Sequence, residues 1–321
     1  MSNANRLAMN VAETRIQALN THAVARGDYV LYWMQQSQRA EHNPALDLAV
    51  HEANRLKLPV LAAVGLTDAY PEANWRHYRF MLEGLQDASK GLRQMGIRLV
   101  VRLGDPPTVA LELERRAALI VCDVGYTRHQ RRWRRRIATA AACRAVQVEG
   151  DVVVPVAVVS DKAEYAARTI RPRIQRHLEA YLSLPRTVRP RVAALDLDVD
   201  GIDLADIDRV LAAFSVDRQV RPVTQFFDGG TAAAKKRLKR FIDGHLARYD
   251  ANRSQPQTDD TSAMSPYLHF GQISPVYLAL QIREADTGQD ADRAGYLEEL
   301  IVRRELAVNF VHYTADYDRY P

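Results

Sequence analysis

Cysteine is scarce in this sequence of 321 residues, where only Cys122 and Cys143 occur. The two do not form a CxxC pair, and no histidines or acidic residues stand around them at metal-ligand spacing. The sequence therefore indicates neither a disulfide framework nor a structural metal site. A reducing cytoplasm is the expected compartment.

Long hydrophobic runs and phosphate-binding glycine motifs are missing as well. No stretch approaches the roughly 18 uninterrupted apolar residues of a membrane span, and the N-terminus lacks a charged region followed by an apolar core. We therefore expect a protein that is neither secreted nor membrane-embedded. No GxGxxG or GxxxxGK[ST] follows an apolar run, which excludes an ordinary dinucleotide fingerprint and a P-loop.

The composition suits a globular protein with an anionic partner. Hydrophobic residues make up 47% of the chain, enough for one large or two ordinary domains. Lys and Arg number 44 against 39 Asp and Glu, a net charge of +5. A basic balance favours an anionic partner without identifying it.

The N-terminal half alternates short apolar runs with segments of helical periodicity. Alternation of this kind predicts an α/β domain with a doubly wound, Rossmann-like parallel sheet. Such a sheet binds ligands at the carboxyl ends of its strands, where the strand order reverses, so a chromophore or a nucleotide can lie there. Gly96 follows the longest helical segment and is a candidate C-cap. The apolar runs cover 29–34, 58–66, 97–104 and 118–124.

Four regions follow from these patterns. Residues 1–26 are predicted to be an irregular or helical N-terminal extension, with the sheet beginning after it. Residues 27–155 form the α/β domain, and 156–228, with several prolines and an acidic patch, form an interdomain connection. Residues 229–321 show helical periodicity throughout, which predicts an all-helical domain.

Two basic stretches are candidate anion-binding surfaces. Residues 127–137 hold six arginines and no acid around Trp133, and 235–240 read KKRLKR. The arginines of the first stretch can pair with phosphates, but a solvated helix face with Trp133 packed inward is the interpretation we favour. The second stretch has an amphipathic pattern that a surface helix explains equally well.

The segment 261–275, TSAMSPYLHFGQISP, places hydroxyl side chains ahead of a helical pattern. Hydroxyls and backbone N–H groups at a helix start can bind a phosphate or diphosphate. Alternatively, Ser265 is only an N-cap with Pro266 at the first helical position. The residues alone leave both interpretations open.

This segment resembles the flavin-phosphate segment of the DNA photolyase and cryptochrome family, and Tyr249 and Arg253 stand before it at the family's spacing. Within the family, the segments YWMQQSQRAEHNPAL, FMLEGLQ, EYAARTIRPRI and RRELAVNF resemble class II cyclobutane pyrimidine dimer photolyases. Val302 stands where class I enzymes usually carry tryptophan, which also fits class II. The resemblance covers nearly all of 29–318.

The resemblance implies a set of site residues. Glu299, in EELIVRRELAVNFVHY, matches the family's catalytic glutamate, a buried carboxyl that hydrogen-bonds the pyrimidines and, when protonated, stabilises the radical anion. Without the match, Glu299 is a surface acid paired with Arg303 one turn on. The implied flavin-binding residues are Tyr249, Thr261, Ser262, Ala263, Met264 and Ser265, and the implied DNA-binding residues are Arg253, Glu299, Arg303 and Arg304.

The implied activity is light-driven repair of cyclobutane pyrimidine dimers in ultraviolet-damaged DNA by a monomer. Excited reduced FAD passes an electron to a flipped-out dimer, the ring splits, and the electron returns. An antenna chromophore, deazaflavin or another, can occupy the α/β domain.

The end of the chain is the main departure from the family pattern. The chain stops at residue 321, shortly after the helix with Glu299, so we expect an incomplete FAD-binding domain. The three tryptophans, Trp33, Trp75 and Trp133, all lie in the α/β half, where core packing is their expected role. Two alternatives stay open: a cryptochrome-like photosensor, against which Glu299 and the class II segments argue, and a remnant without repair activity, which the early stop supports.

Overall fold

A computed structural model describes residues 11–184 and 187–319. The chain divides into two compact units. The first comprises Met1–Gly150, Pro185–Ala233 and Phe270–Gln272, and the second comprises Asp151–Leu184, Ala234–His269 and Ile273–Pro321. The predicted interdomain connection, 156–228, thus contributes residues to both units.

The first unit contains a six-stranded sheet. Its order is β1-β6-β5-β2-β3-β4, and every neighbouring pair is parallel except β1 with β6. The predicted parallel sheet is therefore confirmed, with one antiparallel strand at its edge. The strands are β1 (Ile16–Ala18), β2 (Tyr29–Trp33), β3 (Val60–Leu66), β4 (Arg98–Leu103), β5 (Ala117–Asp123) and β6 (Arg144–Val148).

Two strands were not predicted. The sheet begins at Ile16, inside the expected extension, because Ile16 pairs with Val148 of β6. This first strand has only three residues, all of them exposed or partly exposed, so it shows no apolar signal. The sixth strand follows the arginine-rich helix at Arg128–Ala140 without a turn motif. The part of the expected extension at 1–10 lies outside the described residues.

Helices account for most of the remaining regular structure. The first unit holds α1 to α4 and α7. Helix α8 begins in the first unit, with residues 231–233, and continues in the second. The other helices belong to the second unit. The helices are α1 (Pro44–Leu56), α2 (Trp75–Gln94), α3 (Pro106–Glu114), α4 (Arg128–Ala140), α5 (Val156–Val159), α6 (Ala167–Tyr181), α7 (Ile207–Ala212), α8 (Thr231–Gly244), α9 (Tyr249–Asn252), α10 (Ser265–His269), α11 (Pro275–Arg283), α12 (Asp290–Leu297) and α13 (Arg304–Tyr313).

Apolar side chains cover both faces of the sheet. Along β2, Val30 and Tyr32 pack into one buried cluster with residues of α1 and α2, while Leu31 and Trp33 pack into another with residues of α3. Alternate residues of a strand point to opposite faces, so both faces are buried. This arrangement confirms the doubly wound prediction and explains why the strands are continuous apolar runs.

Local signals set some element ends as predicted. Gly96 follows α2 with φ of 79°, a left-handed conformation that glycine adopts without strain. The N–H of Ile97 then reaches back to the carbonyl of Leu92 at 2.9 Å, which closes the helix end. The predicted stop signal at Gly96 is therefore confirmed, although the C-cap itself is Met95, one residue earlier.

The first basic stretch forms α4 and behaves as the favoured interpretation predicts. Trp133 is partly buried and packs against the same cluster as Trp33. Arg134 is buried and donates to Gln147 Oε1 at 2.7 Å. Arg132 and Arg135 face solvent. The stretch is therefore a helix with one face packed on the sheet.

In the second unit, every regular element among the described residues is helical. The second basic stretch lies in α8, whose residues Ala234, Leu238 and Phe241 are buried, as an amphipathic surface helix requires. The chain widens to a π-helix at Glu298–Arg303, between α12 and α13. Among 11–184 and 187–319, no helix is long and apolar enough to cross a bilayer.

Candidate flavin and nucleic-acid site

A buried carboxylate fixes the chain just before the predicted phosphate-binding segment. Asp260 is 6% exposed and accepts hydrogen bonds from Arg248, Asn252 and His245, at 2.7, 2.6 and 3.0 Å. These hydrogen bonds, that of Arg248 foremost, hold the pKa of Asp260 well below its usual range. The carboxylate of Asp260 therefore holds the start of the 261–265 segment against the chain at 245–252.

The segment itself turns sharply into α10. Ala263 has φ of 50°, a left-handed conformation that costs energy for a residue with a Cβ. Met264 is 2% exposed, and its carbonyl accepts the N–H of Leu268 at 3.0 Å. That bond makes Met264 the N-cap of α10, so the interpretation of Ser265 as N-cap is wrong by one residue. Pro266 is then the second helical residue and tightens the turn.

An aromatic cluster contacts the segment through a hydrogen bond to Ser262. The rings of Phe241, Tyr249 and Tyr296 lie 5.1 to 5.8 Å apart between centroids. The hydroxyl of Tyr296 donates to Ser262 Oγ at 2.8 Å, and burial raises the pKa of Tyr296 strongly. Burial also raises the pKa of Tyr249. Both phenols are therefore neutral donors at physiological pH.

The remaining polar groups fit an anion. Thr261 and Ser265 are exposed. Among the described residues, the N–H groups of 262–265 have no hydrogen-bond acceptor, and neither does the hydroxyl of Tyr249. Free N–H groups at a helix start, with hydroxyls beside them, match the acceptor oxygens of a diphosphate. The donor set at 261–265 therefore suits the phosphates of a flavin dinucleotide.

The predicted catalytic and DNA-binding residues meet in one ion pair. Arg253 Nη1 lies 2.9 Å from Glu299 Oε1, and the two side chains are 38% and 39% exposed. The family resemblance implied a buried carboxyl at Glu299, and the structure does not show one. Glu299 presents a half-exposed carboxylate on the π-helical turn, close to the aromatic cluster.

The alternative pairing of Glu299 with Arg303 is wrong. Arg303 lies 3.4 Å from Glu298, which also accepts two hydrogen bonds from Arg171, at 2.7 and 3.0 Å. An α-helix aligns residues four apart, whereas a π-helix pairs residues five apart. The wide turn therefore brings residue 303 over residue 298.

The other predicted DNA-binding arginine is engaged within the protein. Arg304 lies 3.0 Å from Asp151 Oδ2 and also donates to the Asp151 carbonyl, and its side chain is 21% exposed. Glu305, next along α13, accepts the backbone N–H groups of Val153 and Val154. Both contacts fasten α13 to the chain at 151–154. A DNA contact by Arg304 would have to break its ion pair, whereas Arg303 is 54% exposed.

The sheet of the first unit has its own candidate site where the strand order reverses, between β2 and β5. Asp123, at the end of β5, is 1% exposed and accepts the N–H groups of Gln35, Gln36 and Ser37 at 2.9 to 3.1 Å. It also accepts the hydroxyl of Tyr32 at 3.0 Å. One carboxylate therefore fixes the loop that follows β2.

Polar side-chain atoms of this loop are buried without partners. The amide of Gln35, the hydroxyl of Ser37 and Oε1 of Gln38 have no hydrogen-bond partner among the described residues. Buried polar atoms normally form hydrogen bonds, so these atoms are available to bind water or a ligand. Their place at the carboxyl ends of parallel strands is where the sequence predicted a chromophore.

Sequence reasoning missed three residues that build these sites. Asp260, Tyr296 and Asp123 hold the candidate ligand groups in place, yet none stands in a recognisable motif. Asp260 directly precedes the TSAMS segment, and that adjacency was the one available signal. The other two act through partners at least 34 residues away.

Comparisons with known proteins identify the family. The DNA photolyase family model matches residues 30–192, just over half of the chain. A deoxyribodipyrimidine photo-lyase of Methanothermobacter thermautotrophicus is 44% identical over 292 residues, which cover 91% of this chain and 63% of that protein. A protein of the same name from Potorous tridactylus is 30% identical over 97% of this chain and 58% of its own length. This chain thus spans less than two thirds of either relative.

A solved structure shares the fold. The crystal structure of a bacterial class III photolyase from Agrobacterium tumefaciens matches with a TM-score of 0.70 at 19% identity, covering 91% of this chain and 60% of that one. At this identity the match concerns architecture alone. With the family model and the two relatives, the conclusion is direct: this chain belongs to the DNA photolyase family.

Proposed function

We propose that this chain acts in the light-driven repair of cyclobutane pyrimidine dimers in DNA, as a deoxyribodipyrimidine photo-lyase of the class II type. The observation that carries the proposal is the donor set at 261–265, with its free N–H groups and hydroxyls above a buried aromatic cluster. The relatives that bear this enzyme name support it. The class II segments of the sequence favour that subgroup.

The second unit is proposed to hold FAD. Tyr249, Thr261 and Ser265 offer hydroxyl donors, and Ser262 to Ser265 offer backbone N–H groups to the diphosphate. Ala263 and Met264 act through the backbone: one sets the turn and the other caps α10. Bound reduced FAD supplies the light-excited electron for the reaction. We also propose 27–155 as the antenna-type domain and 229–321 as the FAD and DNA domain, with 156–228 as their connection. Residues 1–26 precede the antenna-type domain, and their strand at Ile16–Ala18 joins its sheet.

The Arg253–Glu299 pair is proposed to exchange partners when damaged DNA binds. Arg253 would move from the carboxylate to a backbone phosphate, which is also a bidentate acceptor for arginine. Glu299 would then be free to hydrogen-bond the pyrimidine amide groups and, once protonated at Oε1, to stabilise negative charge on the lesion. Arg303, half-exposed on the same turn, would add a second phosphate contact, and Arg304 a third if its ion pair opens.

The carboxyl ends of β2 and β5 are the proposed place of an antenna chromophore. Gln35, Ser37 and Gln38 would satisfy its polar edge with the buried atoms that have no partner. Deazaflavin and another flavin both have carbonyl and ring N–H groups for these contacts. A monomer in the cytoplasm is the proposed state, which the free, buried Cys122 and Cys143 support.

The test uses this chain expressed whole. The visible absorbance of the purified protein measures flavin, and the loss of dimers from ultraviolet-irradiated DNA is assayed in light and in darkness. We expect bound flavin and light-dependent loss of cyclobutane dimers, with (6-4) products unrepaired. Glu299→Gln should keep the flavin and slow repair.

Other outcomes decide between the remaining functions. Flavin without repair would favour a cryptochrome-like photosensor. If the purified protein has no flavin and repairs no dimers, the proposal is overturned, and the chain is a family member without activity. Repair of (6-4) products instead of cyclobutane dimers would overturn the class II assignment.

A further inference from the structure

A basic cavity lies in the second unit, and none of the residues proposed for repair lines it. It has a volume of about 550 Å³ and is formed by the first three turns of α6 and the loop before that helix. This volume is typical of small-ligand pockets, which range from about 300 to 1,000 Å³. The residues that matter for its chemistry are Lys162, Glu164, Tyr165, Arg168, Arg173 and Arg176.

One of its cations is neutralised within the protein. Glu164 is 5% exposed, accepts the hydroxyl of Ser160 at 2.8 Å, and lies 3.2 Å from Arg173. Burial alone would raise the pKa of Glu164, but the hydrogen bonds of Ser160 and Thr169 and the charges of Arg173 and Lys162 bring it below its usual value. Glu164 is therefore charged and balances Arg173.

The other three cations form no ion pair among the described residues, although the charge of Lys162 also acts on Glu164. Lys162, Arg168 and Arg176 are exposed and form no ion pair with any residue of 11–184 or 187–319. Arg168 and Arg176 are eight residues apart on one face of α6, about 12 Å along its axis. The cavity thus has four cations against one acid, and this excess of positive charge attracts an anion. The spread of the cations suits a chain of successive phosphates better than a single one.

An exposed aromatic ring completes the cavity. Tyr165 is 75% exposed, and the guanidinium of Arg168 lies 5.6 Å from its ring centroid. The arginine steadies the ring by a cation–π contact and leaves most of it open to solvent. An open aromatic ring beside cations is the combination with which proteins bind unpaired bases along a phosphate backbone.

We propose that this pocket binds a nucleotide of single-stranded nucleic acid, with its base stacked on Tyr165 and its flanking phosphates on Arg168 and Arg176. Lys162 adds a further charge at the rim. A duplex is disfavoured because its bases are already stacked on one another and cannot reach the ring. The inference goes beyond the proposed repair function and uses none of the residues proposed for it.

The test measures binding in darkness, by fluorescence anisotropy, to a labelled oligothymidylate of about eight nucleotides, a usual site size for such proteins. The double variant Arg168→Gln/Arg176→Gln should weaken binding by about tenfold or more at low salt. Its slope of log affinity against log salt should fall by about 1.4, since each phosphate contact on a single strand contributes about 0.7. Tyr165→Leu should weaken binding by at least about fivefold, and Tyr165→Phe should leave it unchanged.

Matched controls separate the pocket from general charge. Arg93→Gln/Arg191→Gln removes two exposed, unpaired arginines of the first unit and should leave the affinity unchanged. An abasic strand of equal length tests the stack, and it should bind no better to the parent protein than oligothymidylate binds to Tyr165→Leu. Flavin content and light-driven repair, assayed separately, report on the repair proposal.

The outcomes are decisive. Equal losses in the two double variants would overturn the proposal, as would equal affinity of the parent protein for the abasic strand and for oligothymidylate. Thymidine monophosphate serves as a competitor: competition at a matched nucleotide concentration would assign the pocket to free nucleotides and overturn the single-strand assignment. Weak competition would support it.

Discussion

Arg253 and Glu299 are 46 residues apart in sequence and 2.9 Å apart in space, in an ion pair that leaves more than a third of each side chain exposed. An exposed pair of this kind contributes only about 0–1 kcal/mol to folding. Its importance lies in what each partner does when the other is removed.

The two halves of this pair should affect DNA binding in opposite directions. Glu299→Gln removes the nearer of two acids beside Arg253 and leaves Asp250 at 3.8 Å. We therefore expect the affinity for undamaged duplex DNA to rise severalfold, because Arg253 is then more available to a phosphate. Arg253→Gln should lower that affinity. Filter binding or anisotropy at low salt measures both. A fall in affinity for Glu299→Gln as large as that for Arg253→Gln would show that the pair does not hold the arginine back.

The left-handed turn at Ala263 should be sensitive to side-chain shape. A β-branched residue is strained at a φ of 50°, so Ala263→Val should lower the free energy of unfolding by about 1–2 kcal/mol and reduce flavin retention. Ala263→Gly relieves the turn and should keep or raise stability. Urea unfolding and the ratio of flavin to protein measure the two effects. Equal behaviour of both variants would mean that this turn does not shape the flavin site.

Asp260 should support the same site in a pH-dependent way. Its folded pKa is lowered, so its stabilising effect is present above the unfolded value near 4 and is lost as the pH falls below that value. Asp260→Asn should therefore lower the thermal midpoint and flavin retention at neutral pH, with a smaller difference at acidic pH. Asp259→Asn is the matched control, because Asp259 is exposed. If both variants melt alike, the network around Asp260 is dispensable.

Asp47 should give the first unit the opposite pH dependence. It is 8% exposed in α1, and burial raises its pKa to about 7, although Arg39 acts to lower it. The protonated form is favoured in the folded state, so its stability contribution is present below about pH 4 and is lost as the pH rises through about 7. The free energy of unfolding should fall by roughly 3 kcal/mol between about pH 5 and pH 8. Asp47→Asn should abolish most of that decline; parallel curves for the two proteins would contradict the assignment.

Much of the fold was predictable because each central strand is a continuous apolar run. Strands such as β3 and β5 are buried on both faces, and that burial requires apolar residues at every position. The first strand, at Ile16–Ala18, was not predictable for the converse reason. It lies at an edge, and its pairing with β6 depends on backbone hydrogen bonds that three polar or half-exposed residues do not signal.

The candidate site was predictable only as far as its linear motif reached. The TSAMS segment suggested phosphate binding, and the structure places its donor groups at a helix start. The ion pair of Arg253 with Glu299 and the support of Ser262 by Tyr296 join distant parts of the chain. The pairing of Arg303 was mispredicted because helical spacing presumes an α-helix, and nothing in EELIVR announces a wider turn.

That wider turn at Glu298–Arg303 determines how α13 is rotated about its own axis. A π-helical turn accommodates one residue more than an α-helical turn, and each residue of an α-helix advances the chain by about 100°. Deleting one residue here would turn α13 about its axis by that angle. Glu305 would leave the amides of Val153 and Val154, and Asn309 would leave the amide of Glu164. The extra residue thus fixes the rotation of the helix face that carries Glu305 and Asn309 relative to the face that carries Glu299.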